Sequence, residues 1–175
     1  MWRTLLIFGT FLCDYAGIEL FIKLIEKADL DPIWLCQEIK LCPIHDCKLD
    51  VCAKFLEPTV IRPDPSKLGE EVQLMYHFEV YQQTGTGEIM IAIHCAHGSM
   101  PPVVSGGELV PKGYEKGQFR VNFKIAFKSN PEAEPPIIFK PGQYQAHFYV
   151  CEGQCGSKHT HTRTLATQFA NFTTT

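Results

Sequence analysis

From residue 72 onward, apolar and polar side chains alternate, and this period of two is what most limits the fold. Val72, Leu74, Tyr76, Phe78 and Val80 alternate with Gln73, Met75, His77, Glu79 and Tyr81. Ile89, Ile91 and Ile93 repeat the pattern, as do Tyr144, Ala146, Phe148 and Val150. The clearest run sets Phe119, Val121, Phe123, Ile125 and Phe127 against Arg120, Asn122, Lys124, Ala126 and Lys128. Leu165, Thr167 and Phe169 make the last. Successive side chains of a strand point to opposite faces, so each run predicts a strand with one buried face. Further strands are expected near Thr59–Ile61 and Ile137–Phe139, for six to eight in all. Gly85-Thr86-Gly87 reads as a hairpin-like turn between the first two long strands. Arg62-Pro-Asp-Pro-Ser66, Gly106-Gly107, Gly113, Gly117, Asn130-Pro131 and Pro141-Gly142 punctuate the rest. No helical pattern intervenes, so the chain is read as mainly β, with an antiparallel β-sandwich over residues 56–175.

The sandwich resembles the immunoglobulin-like kind. Pro141-Gly-Gln-Tyr144-Gln-Ala146 is similar to the Gly-x-Tyr-x-Cys start of an immunoglobulin F strand, which implies a tyrosine corner at Tyr144. Ala146 stands at the family's cysteine position, and both tryptophans, Trp2 and Trp34, lie outside the region. The resemblance therefore implies the sandwich without its usual disulfide and tryptophan pin.

The first fifty residues follow another period. Ile18, Phe21, Ile22, Ile25 and Ala28 recur at i, i+3, i+4 spacing, with Glu19, Lys23, Glu26 and Lys27 opposite, an amphipathic helix. Asp31 can cap a second, short helix, Pro32 suits its first turn, and Cys42-Pro43 ends it. Two such helices need a covalent clamp or a partner surface, and Cys36 and Cys42 are placed to give a clamp.

Tyr15-x-Gly17, the helix after it, and Asp31-Pro32-x-x-x-Cys36-x-x-Ile39-x-Leu41-Cys42 resemble the C-terminal half of a saposin B-type domain, here residues 13–52. A complete domain has an earlier hairpin with a Cys-x-x-Cys pair. The resemblance thus implies that Cys36 and Cys42 lack their family partners, through truncation upstream or re-wiring. A saposin-like half followed by a sandwich resembles the countin-like family, on Asp31-Pro32, Cys36, Cys42-Pro43, Asp46 and Thr84-Gly-Thr-Gly87. That resemblance implies a secreted, non-enzymatic protein of a cell-surface or cell–cell signalling complex, with a protein partner.

Eight cysteines in 175 residues indicate an oxidising compartment: the cell exterior, or the lumen of the secretory or lysosomal pathway. Met1–Leu12 fits either a signal peptide, with Arg3 ahead of an apolar run, or the tail of a helix in a truncated chain. A net charge of -3 argues against nucleic-acid binding. The disulfide candidates are Cys13, Cys36, Cys42, Cys47 and Cys52 before the sandwich, and Cys95, Cys151 and Cys155 within it. Both counts are odd. Either a bridge joins the two parts or each keeps an unpaired thiol. Within the sandwich, Cys151 and Cys155 can pair with each other, or one of them with Cys95. A bridged Cys95 is the expectation.

Other chemistry is weighed against those bridges. Cys151, Cys155, His159 and His161 have metal-ligand side chains, but disulfide use competes, and no metal or other cofactor is expected. His94 and His97 flank Cys95, yet a bridged sulfur is no nucleophile. Glu70-Glu71 and Glu132/Glu134 read as solvated surface. A hydrolase would need a constellation that no motif here supplies. Asn171-Phe172-Thr173 is an N-glycosylation sequon. Ile18, Phe21, Ile22, Ile25 and Trp34 form a candidate face for a partner or a lipid. A lipid- or membrane-interacting protein is therefore the alternative to a binding and signalling one. Mixed Glu and Lys on the polar side of the helix favours packing against protein.

Overall fold

The computed structural model describes residues 31–96, 102–132 and 136–175. The chain divides into two compact units, residues 1–32 and 33–175. Met1–Leu12, Cys13 and the segment 17–28, for which a helix is predicted, lie outside the described residues.

A short helix, α1 (Pro32–Glu38), is followed by eight strands: β1 (Ala53–Phe55), β2 (Val60–Arg62), β3 (Glu71–Val80), β4 (Gly87–Cys95), β5 (Val104–Val110), β6 (Gly117–Ala126), β7 (Gly142–Glu152) and β8 (Arg163–Thr174). Pro32 opens the helix as its fixed φ allows, and Lys40 at φ 60° follows its end. Every strand pairing is antiparallel. In one sheet β3 takes β1 and β2 on one side and β6 on the other; the second runs β5-β4-β7-β8. The alternation predicted for β3, β4 and β7 holds. Val72, Leu74, Tyr76, Phe78 and Val80 are buried, as are Ile89, Ile91, Ile93, Tyr144, Ala146, Phe148 and Val150. The Tyr144 hydroxyl donates to the Lys140 carbonyl at 2.7 Å and accepts the Lys140 N–H at 2.9 Å. This is the bond back to upstream backbone expected of a tyrosine corner.

Five expectations are corrected. Gly85-Thr86-Gly87 is not a hairpin turn, because β3 and β4 belong to different sheets. The chain crosses between them with Thr84 and Thr86 fully buried. Thr84 and Tyr114 exchange hydrogen bonds, Thr84 N–H to the Tyr114 carbonyl at 2.9 Å and Tyr114 N–H to Thr84 Oγ1 at 3.0 Å. Gly106-Gly107 is no turn either, since both glycines lie inside the edge strand β5. Position 107 requires glycine, because a Cβ there would sit 2.8 Å from the Ile89 carbonyl oxygen. Ile137 makes only an isolated bridge to Asn130, so no strand forms at 137–139.

The fourth correction concerns the last strand. Val150 pairs with Ala166 but Cys151 pairs with Thr164, which leaves Leu165 as a bulge residue. One extra residue reverses the parity. Leu165 and Phe172 are buried, whereas Thr167 and Phe169 face solvent. The fifth concerns β6. Phe119, Val121, Phe123 and Ile125 lie on the inward side as predicted, but each is only half-buried. β6 is an edge strand opposite the glycine pair of β5, and a cleft of about 230 Å³ opens between Phe123, Ile125, Ile91 and Val104.

Candidate functional site: the disulfide-clamped pole

Residues 33–52 and the loop after β7 meet at one pole of the sandwich, and short disulfides close each loop. Cys36 bonds Cys42, Cys47 bonds Cys52, and Cys151 bonds Cys155. Each ring spans six residues or fewer in sequence separation. The clamp expected at Cys36 and Cys42 is thus a bridge between those two. No bridge among the described cysteines joins the helical part to the strands.

Hydrogen bonds make that join instead. The Thr86 N–H donates to the Pro43 carbonyl at 2.9 Å, and the Gly85 N–H to the His45 carbonyl at 3.0 Å. This approach requires glycine at 85, where a Cβ would lie 2.6 Å from the Pro43 oxygen. Glu152, buried at the end of β7, accepts the Cys47 N–H on Oε2 and the Gly85 N–H on Oε1, both at 3.1 Å. Burial pushes its carboxyl above the ordinary range, and the two amide donors offset part of that rise. Arg163, at the start of β8, donates to the Leu49 carbonyl at 3.0 Å and the Asp50 carbonyl at 2.8 Å. These bonds hold the Cys47–Cys52 loop against the sheet.

Two side-chain pairs complete the pole. Asp46 Oδ1 meets His161 Nδ1 at 2.8 Å. Partial burial of Asp46 opposes its ionisation, but the His161 hydrogen bond, the His161 charge and then Lys48 together hold the carboxyl below its usual value. The Trp34 ring stacks on His159 with centroids 4.3 Å apart and planes 11° apart.

These contacts engage the four side chains that the sequence offered as metal ligands. The sulfurs of Cys151 and Cys155 are bonded to each other, His159 is stacked and His161 is paired. Among the described residues no group of three or more His, Cys, Asp or Glu is placed to hold a metal. Cys95 is corrected as well: it is an exposed free thiol at the far end of β4. His97 and Glu134 lie outside the described residues. His94 instead faces His147, with ring centroids 4.7 Å apart. Burial, and then the neighbouring His94, hold His147 below the usual histidine range. Glu71 pairs with Lys124 at 3.0 Å on the surface.

Of the predicted partner face, Trp34 is within the pole, while Ile18, Phe21, Ile22 and Ile25 lie outside the described residues. Other apolar side chains are open to solvent here. Leu35, Ile39, Leu41, Ile44, Leu49 and Val51 are all exposed, Ile39 by 66% and Leu41 by 76%. Sequence reasoning missed Glu152 and Arg163. Glu152 offered one signal, a lone carboxylate directly after the apolar Phe148–Cys151 run, but not its partners. Asn171 is exposed on the outer face of β8, with its Oδ1 accepting from Gln145 Nε2 at 2.9 Å. No helix among the described residues is long and apolar enough to cross a membrane.

Comparison with known proteins bears on both parts of the chain. The family described as Countin C-terminal domain matches residues 53–175, and that described as Countin N-terminal domain matches residues 4–40. Countin-3 of Dictyostelium discoideum is 29% identical over 170 residues, which cover 92% of this chain and 67% of that protein. Countin-1 of the same organism is 32% identical over 162 residues, covering 93% of this chain and 58% of that protein. The chain therefore spans 58% to 67% of the length of these two relatives. Among solved structures, the C-terminal domain of wzt aligns with a TM-score of 0.52 at 12% identity, over 78% of this chain and 79% of that one. This is a likeness of fold alone.

Proposed function

This chain belongs to the countin family, and from that premise we propose that it is a secreted, non-enzymatic binding protein of a cell-surface or cell–cell signalling complex. One observation carries the reading: six aliphatic side chains between residues 35 and 51 stand exposed on the short helix and on loops that disulfides and buried hydrogen bonds hold in place. A fixed apolar surface of this kind lowers its free energy by burial against another macromolecule. The three local disulfides are compatible with an oxidising compartment.

The partner is a protein. Glu38, Lys40, Asp46, Lys48 and Asp50 surround the apolar side chains with mixed charge, which suits a polar interface rim. An anionic lipid surface would select for Lys and Arg excess. Residues 13–52 are read as a saposin-like half whose Cys36 and Cys42 are re-wired into a local ring. The sandwich is read as immunoglobulin-like, supported by its two-sheet strand order and by the Tyr144 hydroxyl bonded to Lys140.

The test is native sizing of the secreted chain in conditioned medium, beside flotation with neutral and anionic liposomes. The expected result is a heteromeric complex that Leu41→Glu disrupts while leaving the melting temperature in place. A chain that stays in the cell, or runs as a lone monomer, would refute the reading. Liposome binding abolished by Leu41→Glu would replace it with the lipid-interacting alternative.

A further inference from the structure

We infer that Asn171 carries an N-linked glycan whose first N-acetylglucosamine lies against the ring of Phe169. Residues 171–173 are the chain's single sequon, and three structural facts go beyond the motif. First, β8 is an edge strand of its sheet, and Asn171 is on the outer face with its side chain exposed. The Oδ1 atom is held by Gln145 Nε2 at 2.9 Å, which turns the amide nitrogen, the atom that is glycosylated, away from that bond. Second, Phe169 stands two residues earlier on the same strand and face, about 7 Å along the backbone. Third, Phe169 is 65% exposed and is the one aromatic among the strongly exposed large apolar side chains of the described residues.

The Leu165 bulge gives this arrangement its cause. Without the extra residue, β8 would place Phe169 inward with Leu165. With it, Phe169 and Asn171 share the solvent face, across from His147 and Gln145 of β7. The apolar face of a sugar covers an exposed aromatic ring for the same reason that a protein core does. On the other side of Asn171, towards Thr173, a polar cleft of about 380 Å³ bordered by Asp64, Gln143 and Gln145 leaves the amide open to approach.

The reaction is a redox-neutral group transfer. Asn171 Nδ2 forms a bond to C1 of the first sugar of a lipid-diphosphate-linked oligosaccharide. The C1–O bond to the diphosphate breaks, the lipid diphosphate leaves, and the amide loses one proton. The inference rests on the secretion proposed above, since the donor is met only along that route.

The experiment separates the two. The full chain is expressed in a eukaryotic host with its own N-terminus and, in a second arm, behind a heterologous leader that forces entry into the secretory route. Intact mass should show one N-glycan, removed by peptide:N-glycosidase and missing in Asn171→Gln. The glycosylated chain should melt higher than the deglycosylated one. An endoglycosidase that leaves only the first sugar should preserve that gap, and Phe169→Ala should abolish it. A leader-driven chain that reaches the medium without a glycan overturns the modification. A glycan whose melting gap survives Phe169→Ala overturns the stacking. If the leader-driven chain is glycosylated while the chain with its own N-terminus stays in the cytosol, the inference stands and the secretion reading fails.

Discussion

The carboxylate of Glu152 accepts the backbone N–H of Cys47 at 3.1 Å, across a sequence separation of 105 residues. With the second bond to Gly85 it ties the disulfide loop, the cross-sheet connection and β7 into one buried junction.

Removing that carboxylate leaves two buried amides without acceptors. Glu152→Ala is expected to lower stability by about 1–3 kcal/mol, and Glu152→Gln, which keeps one carbonyl oxygen, by less. Urea titration of the three proteins checks the order. Equal midpoints would show that the junction contributes nothing.

Burial ranks the aromatic side chains of the facing strands. Phe78→Ala should cost about 3–5 kcal/mol, because the ring is fully buried. Phe123→Ala, half-exposed on β6, should cost clearly less. Lys124→Ala should cost under about 0.5 kcal/mol, since its pairing with Glu71 is exposed on both sides. Denaturant midpoints in the order Lys124→Ala, Phe123→Ala, Phe78→Ala from most to least stable are the expected outcome.

The Trp34–His159 stack links α1 to the loop after β7. A double-mutant cycle with Trp34→Ala and His159→Ala should return a coupling of about 0.5–1.5 kcal/mol. Additive effects would mean that the rings do not stabilise one another.

The short disulfide rings act on the pole and not on the sheets. Reduction should expose the amides of residues 36–52 to hydrogen exchange before those of β3, β4 and β7, whose side chains form the continuous core. Earlier exchange in those strands would contradict this.

Folding holds His147 below the ordinary histidine value of 6.5, through burial and then the adjacent His94. The folded chain therefore binds this proton less readily than the unfolded one. The stability linked to His147 is complete above about pH 6.5 and is lost as pH falls below it. Melting temperatures from pH 7 to pH 5 should decline in the parent and decline less in His147→Asn. Parallel slopes would exclude His147 as the source.

Much of the fold was legible in the chain itself. Alternation identified β3, β4, β6 and β7 and their inward residues, because a strand's side-chain period is a local property. Tyr144 was legible for the same reason, since its partner Lys140 is four residues away. Cys36 and Cys42 were near enough in sequence to suggest a clamp, but the odd counts on each side left the pairing open.

What remained was decided by contacts between residues distant in sequence. Nothing local in Leu165–Phe169 tells that Leu165 is a bulge, because the shift exists only against β7. The Gly85–Gly87 segment has the composition of a hairpin turn, and only the two-sheet arrangement makes it a buried crossing. Gly106 and Gly107 have the composition of a turn, and the pairing of β5 with β4 overrides their weak strand propensity. Glu152 has no meaning until Cys47 and Gly85 arrive to bond it. Local pattern therefore sets which stretches extend and, where no bulge intervenes, which of their faces turn inward, through the fixed pleat of the backbone. Which strands became neighbours, where one residue slipped, and which polar groups closed the pole were decided by tertiary structure, because each depends on groups that come together only once the chain has folded.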